Sequence, residues 1–171
     1  VIRAHQKAAM GPLLKKAARL GFPLFVKPVA QGSSVGVTKV KNAAGLRPAV
    51  MNAFRFDTAV MAEKGVDRAR EIVCGVLGSP EGAKASVCGE VVPKGKHEFY
   101  DYEAKYLDND GMELRLPAPL SAGVSARLRE LAVRIFLALG GSGLARIDFF
   151  VDPKDENNVY FSEINTLPGF T

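Results

Sequence analysis

The spacing of apolar positions changes several times along the chain, and each change predicts an element. Val1–Arg3 reads as the end of a strand. Gly11-Pro12 opens a helix with proline at its first position. Leu13, Leu14, Ala17, Ala18 and Leu20 fall on one side of it, and Gly21 closes it. Pro23–Pro28 predicts a short buried strand through Leu24, Phe25 and Val26. A Gly/Ser loop fills 29–36, and Val35–Val40 returns as the second strand of a hairpin. Ala44–Phe56 predicts a helix, and Ala59–Ala62 a strand that ends at Glu63.

The second half has a different texture. Glu71–Gly78 and Ala85–Val92 predict paired strands about a Ser79-Pro80-Glu81-Gly82 turn. Residues 93–113 are polar, rich in Asp, Glu, Lys and Tyr, and with little periodicity, which predicts a functional loop or a disordered segment. Ser121 caps a predicted helix that runs to Leu139. Val124, Leu128, Leu131, Ala132, Ile135 and Leu139 form its apolar face, and Gly140-Gly141 end it. Leu144–Val151 and Val159–Asn165 predict strands joined by a turn over 152–158. The sum is an α+β chain with antiparallel hairpins, few helices, and a break between two lobes near Glu63–Val66.

Composition narrows the class. With 171 residues, 47% hydrophobic and 24% charged, the chain can bury a core, which excludes disorder along its length. No apolar run reaches the roughly 18–20 residues of a membrane helix, so no membrane partner is expected. The first residues show no charged leader before an apolar stretch. That predicts no signal peptide and a cytoplasmic location, and the missing initiator Met predicts a fragment of a longer chain. The net charge is +5, with basic residues scattered. This suits an anionic small molecule such as a nucleotide, and no nucleic-acid partner is expected. Cys74 and Cys88 lie in strand-like apolar text and are expected to be reduced core residues. His5 and His97 lack metal-ligand spacing and are expected at the surface.

Four segments carry candidate chemistry. Lys27 is a cation in a predicted buried strand, a costly placement without an anion. Gly32-Ser33-Ser34-Val35-Gly36 follows. Its glycines let backbone approach a ligand, and successive N–H groups in such a turn can cradle phosphate; an ordinary hairpin turn has the same text. It is not a Walker A loop, because GxxxxGK[ST] is absent. In the last two predicted strands, Arg146 and Asp148 share a face, as do Glu163 and Asn165. Pairing of those strands gathers two carboxylates, an amide oxygen and a guanidinium. Hard oxygen ligands suit Mg²⁺ held with substrate phosphates, and the arginine suits charge on a transferred phosphoryl group or an oxyanion. A solvated, salt-bridged sheet face is the plainer alternative. Glu98–Tyr106 alternates aromatic and charged residues, as a lid loop or as an edge strand with a lysine gatekeeper. Met61–Val66 is a strand end with a Gly turn, where Glu63 can accept from an adenine amine or a ribose hydroxyl. No Gly-x-Ser-x-Gly elbow or Cys/His pair points to a protein nucleophile.

In this order, these segments resemble the ATP-grasp ligases, and among them the D-alanine–D-alanine ligase family. The matching text is Phe25-Val26-Lys27-Pro28 with Gly32–Gly36, Glu63-Lys64-Gly65-Val66, Arg70-Glu71-Ile72, Tyr100–Tyr106, Arg146–Phe149 and Glu163–Thr171. It spans nearly the whole chain. The resemblance implies an ATP-grasp fold, two α+β lobes with antiparallel sheets enclosing a nucleotide cleft. Residues 1–63 would be part of the central lobe and 64–171 a C-terminal lobe truncated at its end.

The resemblance also implies roles. Lys27 contacts ATP phosphate, and Gly32, Ser33 and Ser34 fold over the phosphates. Glu63, Lys64 and Val66 line the adenine pocket, and Glu71 holds the ribose. Asp148, Glu163 and Asn165 bind two Mg²⁺ ions, for which Mn²⁺ can substitute. Arg146 and the backbone of Gly169 stabilise a tetrahedral intermediate. Lys105 and Tyr106 close the lid, with the Tyr106 hydroxyl turned to partners such as Ser33 and Glu71. The implied reaction phosphorylates one D-alanine carboxylate with ATP. The amine of a second D-alanine then attacks, giving a dipeptide for peptidoglycan. ATP and D-alanine are the implied partners, and a homodimer the implied state of the full-length protein. The family's D-alanine-holding segments lie outside Val1–Thr171, so this stretch alone is expected to be inactive. The alternatives are a nucleotide-binding module without ligase activity and a ligase for another carboxylate–amine pair.

Overall fold

The structure, a computed structural model, describes residues 1–3, 10–66, 68–93 and 112–168. Residues 1–66 belong to one compact unit and the described residues from 68 onward to another.

The first unit contains β1 (Ile2–Arg3), α1 (Met10–Ala18), β2 (Leu24–Pro28), β3 (Thr38–Val40), α2 (Ala43–Ala53) and β4 (Ala59–Lys64). Its sheet is antiparallel, in the order β1-β4-β2-β3. Alternation in β2 sends Leu24, Val26 and Pro28 inward, where they are buried. Leu24 and Val26 meet Met10 of α1 and Leu46, Val50 and Ala53 of α2. Each large side chain so buried contributes about 1.5–3 kcal/mol. The Asn42 side chain caps α2 by accepting from the N–H groups of Ala44 and Gly45.

Three boundaries differ from the expected ones. The helix α1 already includes Met10, upstream of the expected Gly11-Pro12 start. Val35–Val37 is turn instead of strand, because Val35 and Val37 donate to the carbonyls of Gly32 and Ser34. The helix α2 stops at Ala53. Arg55 and Phe56 then donate to Asn52 and Ala53 in a tight turn that places Phe56 beneath Gly36.

The second unit contains β5 (Arg70–Ser79), β6 (Gly82–Pro93), β7 (Met112–Arg115), α3 (Ala122–Ala138), β8 (Gly143–Asp152) and β9 (Asp155–Asn165). Its antiparallel sheet has the order β7-β6-β5-β8-β9. The Ser121 hydroxyl caps α3 at the N–H of Val124. Val124, Leu128, Ala132 and Phe136 of α3 cover Ile72, Cys74, Val76, Cys88, Ala145, Ile147, Phe149 and Val151. The opposite sheet face carries apolar residues such as Val73, Leu114 and Leu144 together with Arg146 and Asp148. Glu90 is the one buried charged residue among those described, at 5% exposure. Arg70 forks onto both of its oxygens at 2.6 and 3.1 Å and also donates to the Pro119 carbonyl.

The β8–β9 turn is shorter than expected, at Pro153-Lys154. Side chains of Asp152 and Asp155 accept from the N–H groups of Lys154 and Asn157, which lets β9 start at Asp155. Within 93–113, Pro93 ends β6 and Met112 begins β7. The rest of that segment, including His97 and the Glu98–Tyr106 lid, lies outside the described residues, as do His5 and Gly169. Cys74 and Cys88 are free and buried, as expected, and they are also direct cross-strand partners. Among the described residues, no helix is long and apolar enough to cross a membrane.

Candidate active site

In the β8–β9 hairpin, Arg146 lies opposite Asn165, Ile147 opposite Ile164, and Asp148 opposite Glu163. Ile147 turns into the core, so Arg146, Asp148, Glu163 and Asn165 share the face away from α3. The predicted cluster is therefore assembled. Arg146 Nε and Nη2 donate to the two oxygens of Asp148 at 2.8 and 2.7 Å. Asn165 Nδ2 donates to Asp148 Oδ2 at 3.1 Å and to Glu163 Oε1 at 3.4 Å. The Asp148 side chain is 18% exposed, against 39% for Arg146, so the fork neutralises a carboxylate that water reaches only in part.

On the far side of β8, Val73 lies opposite Asp148 and Gly75 opposite Arg146. A hollow of about 210 Å³ opens there, walled by Val73, Gly75, Gly89, Leu114 and Leu144, with Arg146 and Pro168 also lining it. A methyl on Gly89 would come within 3.1 Å of Leu114, so glycine keeps this floor low. Glu71, two residues before Val73, is half-buried on the same face as Asp148.

In the first unit, Lys27 lies opposite Met61 and Phe25 opposite Glu63, which makes Lys27 and Glu63 diagonal neighbours on one face. Their charges meet at 2.6 Å, with side chains 28% and 41% exposed. The expectation of a lysine inside a buried strand is corrected here: alternation turns Lys27 away from the helices, and Glu63 supplies its anion. Two residues expected to serve phosphate and adenine separately thus form one ion pair. Lys64 is exposed at the end of β4, and Val66 is half-buried beyond Gly65.

Ser33 and Ser34 take φ of +52° and +59°, and Gly36 +71°. The left-handed region costs a non-glycine residue roughly 1–2 kcal/mol, so the loop needs an anchor. Asp57, which the sequence reading missed, provides it. One carboxylate oxygen accepts from Ala30 N at 2.7 Å and the other from Ala59 N at 3.1 Å, while Gln31 donates to the Phe56 carbonyl. The Ala30 and Ala59 N–H groups hold the Asp57 carboxyl below its usual range. The available signal was compositional: Asp57 is the only acidic residue before Glu63, among ten basic ones. The basic residues are spread along the whole chain, as expected, but the acidic ones lie almost entirely beyond Asp57, so the net positive charge falls in this unit.

The donor set of the second unit suits a hard divalent cation, with two carboxylates and an amide oxygen on one face. No third His, Cys, Asp or Glu joins them among the described residues. Lys105, Tyr106 and Gly169 fall outside those residues.

The chain is similar to known ligases along almost its whole length. D-alanine–D-alanine ligase A of Bradyrhizobium diazoefficiens is 48% identical over 169 residues, covering 99% of this chain and 44% of that protein. The D-alanine–D-alanine ligase of Heliobacterium modesticaldum is 52% identical over 153 residues, covering 90% and 40%. The chain thus spans less than half the length of these relatives. A solved D-Ala:D-Ser ligase from Enterococcus faecalis matches with a TM-score of 0.81 at 36% identity, covering 99% of this chain and 47% of that one. The D-alanine-D-alanine ligase from Coxiella burnetii matches at 0.73 and 35%, covering 97% and 40%. The α+β architecture with two antiparallel sheets is the ATP-grasp fold of these ligases. Residues 2–171 match the family described as D-ala D-ala ligase C-terminus, and the chain belongs to that family.

Proposed function

We propose that the full-length protein joins two D-alanine molecules at the expense of ATP, giving D-alanyl-D-alanine for peptidoglycan. The observation that carries this reading is the Arg146–Asp148–Glu163–Asn165 cluster beside an apolar hollow, in a chain whose relatives are named for that product. Residues 1–63 are read as part of the central lobe and 64–171 as the C-terminal lobe.

Lys27 neutralises a phosphate oxygen once it exchanges Glu63 for ATP, and the Gly32–Gly36 loop covers the phosphates with its backbone. Asp148, Glu163 and Asn165 would hold Mg²⁺, which supplies charge neutralisation for the phosphates when bound. Arg146 moves from Asp148 to the oxyanion that forms when the second amine attacks the acyl phosphate; the acyl C–O bond then breaks, phosphate leaves with the electron pair, and the amine gives up its proton to solvent. The apolar walls beside Arg146 suit a small side chain such as a methyl group. Glu63, Lys64 and Val66 are assigned to adenine, Glu71 to ribose, and Tyr106, Lys105 and Gly169 to closure and oxyanion binding. These assignments rest on the family resemblance, as do a homodimer and a cytoplasmic location.

The Enterococcus neighbour is named for a D-serine acceptor, which makes D-serine the competing second substrate. The test supplies the full-length protein with ATP, Mg²⁺, D-alanine and D-serine, and separates the products. D-alanyl-D-alanine as the main product with matching phosphate release is expected. A D-alanyl-D-serine majority, or phosphate without dipeptide, refutes the reading.

A further inference from the structure

We propose that Cys74 and Cys88 form a reversible dithiol–disulfide site within the sheet that bears the Arg146 cluster. The two are direct partners across β5 and β6, on the α3 side, with exposures of 1% and 2%. Directly opposed antiparallel residues have Cα atoms about 4.5–5.5 Å apart. A disulfide spans Cα separations of about 4.4–6.8 Å, so closure requires side-chain rotation and little strand movement.

The two thiols have unequal surroundings. Arg129 of α3 donates to the carbonyls of Ser86 and Ala85 at 2.9 and 3.3 Å, which holds its guanidinium beside the Cys88 strand. A hydrogen bond from Cys74 lowers the Cys88 thiol, helped by Ser125 and Arg129. The same hydrogen bond, with burial, pushes Cys74 up. With the Arg129 guanidinium held against its own strand, Cys88 is the attacking sulfur and Cys74 the resolving one. Cys88 is 2% exposed beneath α3, so the reagent reaches it through a local opening of the α3-covered face.

The oxidant is a low-molecular-weight disulfide. The Cys88 thiolate attacks one of its sulfurs, the reagent's S–S bond breaks, and the departing thiolate takes up a proton. The Cys74 thiolate then attacks Cys88 Sγ and expels the second small thiolate, which is protonated in turn. Two cysteine thiols become one disulfide, and the reagent becomes two thiols. The register shift of β5 lies between Cys74 and Val76, and Gly75 within it is the partner of Arg146. The cross-link thus fixes the strand beside the proposed oxyanion group.

The chain has only these two cysteines, so thiol counting is unambiguous. The folded chain is incubated with oxidised glutathione, the remaining thiols are alkylated, and the mass is read. The expected species is two hydrogens lighter, joins peptides containing residues 74 and 88, keeps its circular dichroism, and reverts with dithiothreitol. Cys74→Ser or Cys74→Ala should instead stop at a glutathione adduct on Cys88. The proposal is overturned if both thiols survive while the urea-unfolded chain reacts. It is equally overturned if wild type stops at the adduct, if chains link to one another, or if the oxidised chain has lost its fold.

Discussion

Gly36 and Phe56 lie so close that a methyl on Gly36 would sit 2.6 Å from the Phe56 ring and 2.9 Å from Pro28. The backbone there is also left-handed, at φ +71°. Gly36→Ala should therefore cost about 2–4 kcal/mol, combining overpacking with backbone strain. Urea unfolding of the chain reads this directly. Phe56→Leu in the same background should recover part of the loss, and an unchanged midpoint for Gly36→Ala would show that the loop relaxes freely.

Lys27 shows the opposite balance. Its pair with Glu63 is partly exposed, so Lys27→Ala should change stability by less than about 1 kcal/mol. ATP affinity of the full-length protein should fall by about 1.5–3 kcal/mol, the loss of a charge-assisted hydrogen bond. Calorimetry with equal ATP affinity for both proteins would remove Lys27 from the phosphate site.

Glu90 is a stability residue. Glu90→Ala leaves Arg70 its hydrogen bond to the Pro119 carbonyl but removes its carboxylate, and should destabilise the chain by about 2–4 kcal/mol, below the full cost of breaking a wholly buried pair because Arg70 is 24% exposed. Denaturant midpoints of wild type and Glu90→Ala test this, and a difference under half a kcal/mol contradicts it.

The Asp57 anchor carries a pH signature. Its folded pKa lies below the ordinary 3.8, so the unfolded chain takes up the proton first as pH falls. Its contribution is present above 3.8 and fades as pH drops through the folded value. Wild type should exceed Asp57→Ala in stability at neutral pH, with the gap closing only below 3.8. A gap that is constant down to pH 2 means the hydrogen bonds to Ala30 and Ala59 do not depend on charge.

Glu163→Gln keeps the shape of the β9 side chain and removes a charge from the cluster. The chain should unfold at a similar denaturant concentration, while the full-length enzyme loses most turnover. Unchanged turnover at saturating Mg²⁺ would show that Glu163 is only a surface carboxylate.

Much of the cluster was legible because β8 and β9 are adjacent in the chain and period two fixes which residues share a face. Arg146, Asp148, Glu163 and Asn165 needed only that rule. What stayed hidden depends on register between elements. The Lys27–Glu63 pair follows from β2 lying against β4, with Lys27 opposite Met61. The Cys74–Cys88 partnership needs the β5–β6 alignment together with its irregularity near Gly75. Asp57 was missed because its partners are backbone N–H groups, which leave no mark in side-chain patterns.

The two-residue turn at Pro153-Lys154 has a kinetic consequence. Arg146 to Asn165 is a single hairpin, so the four polar residues meet through contacts short in sequence. Local loop closure is fast and its entropic cost small. The acidic cluster should acquire amide-exchange protection early in refolding, while the β5–β8 ladder, whose partners lie 65 to 81 residues apart (Gly78 with Gly143, Arg70 with Val151), acquires it later. The face that is to hold charge would then be drawn before the sheet behind it is complete.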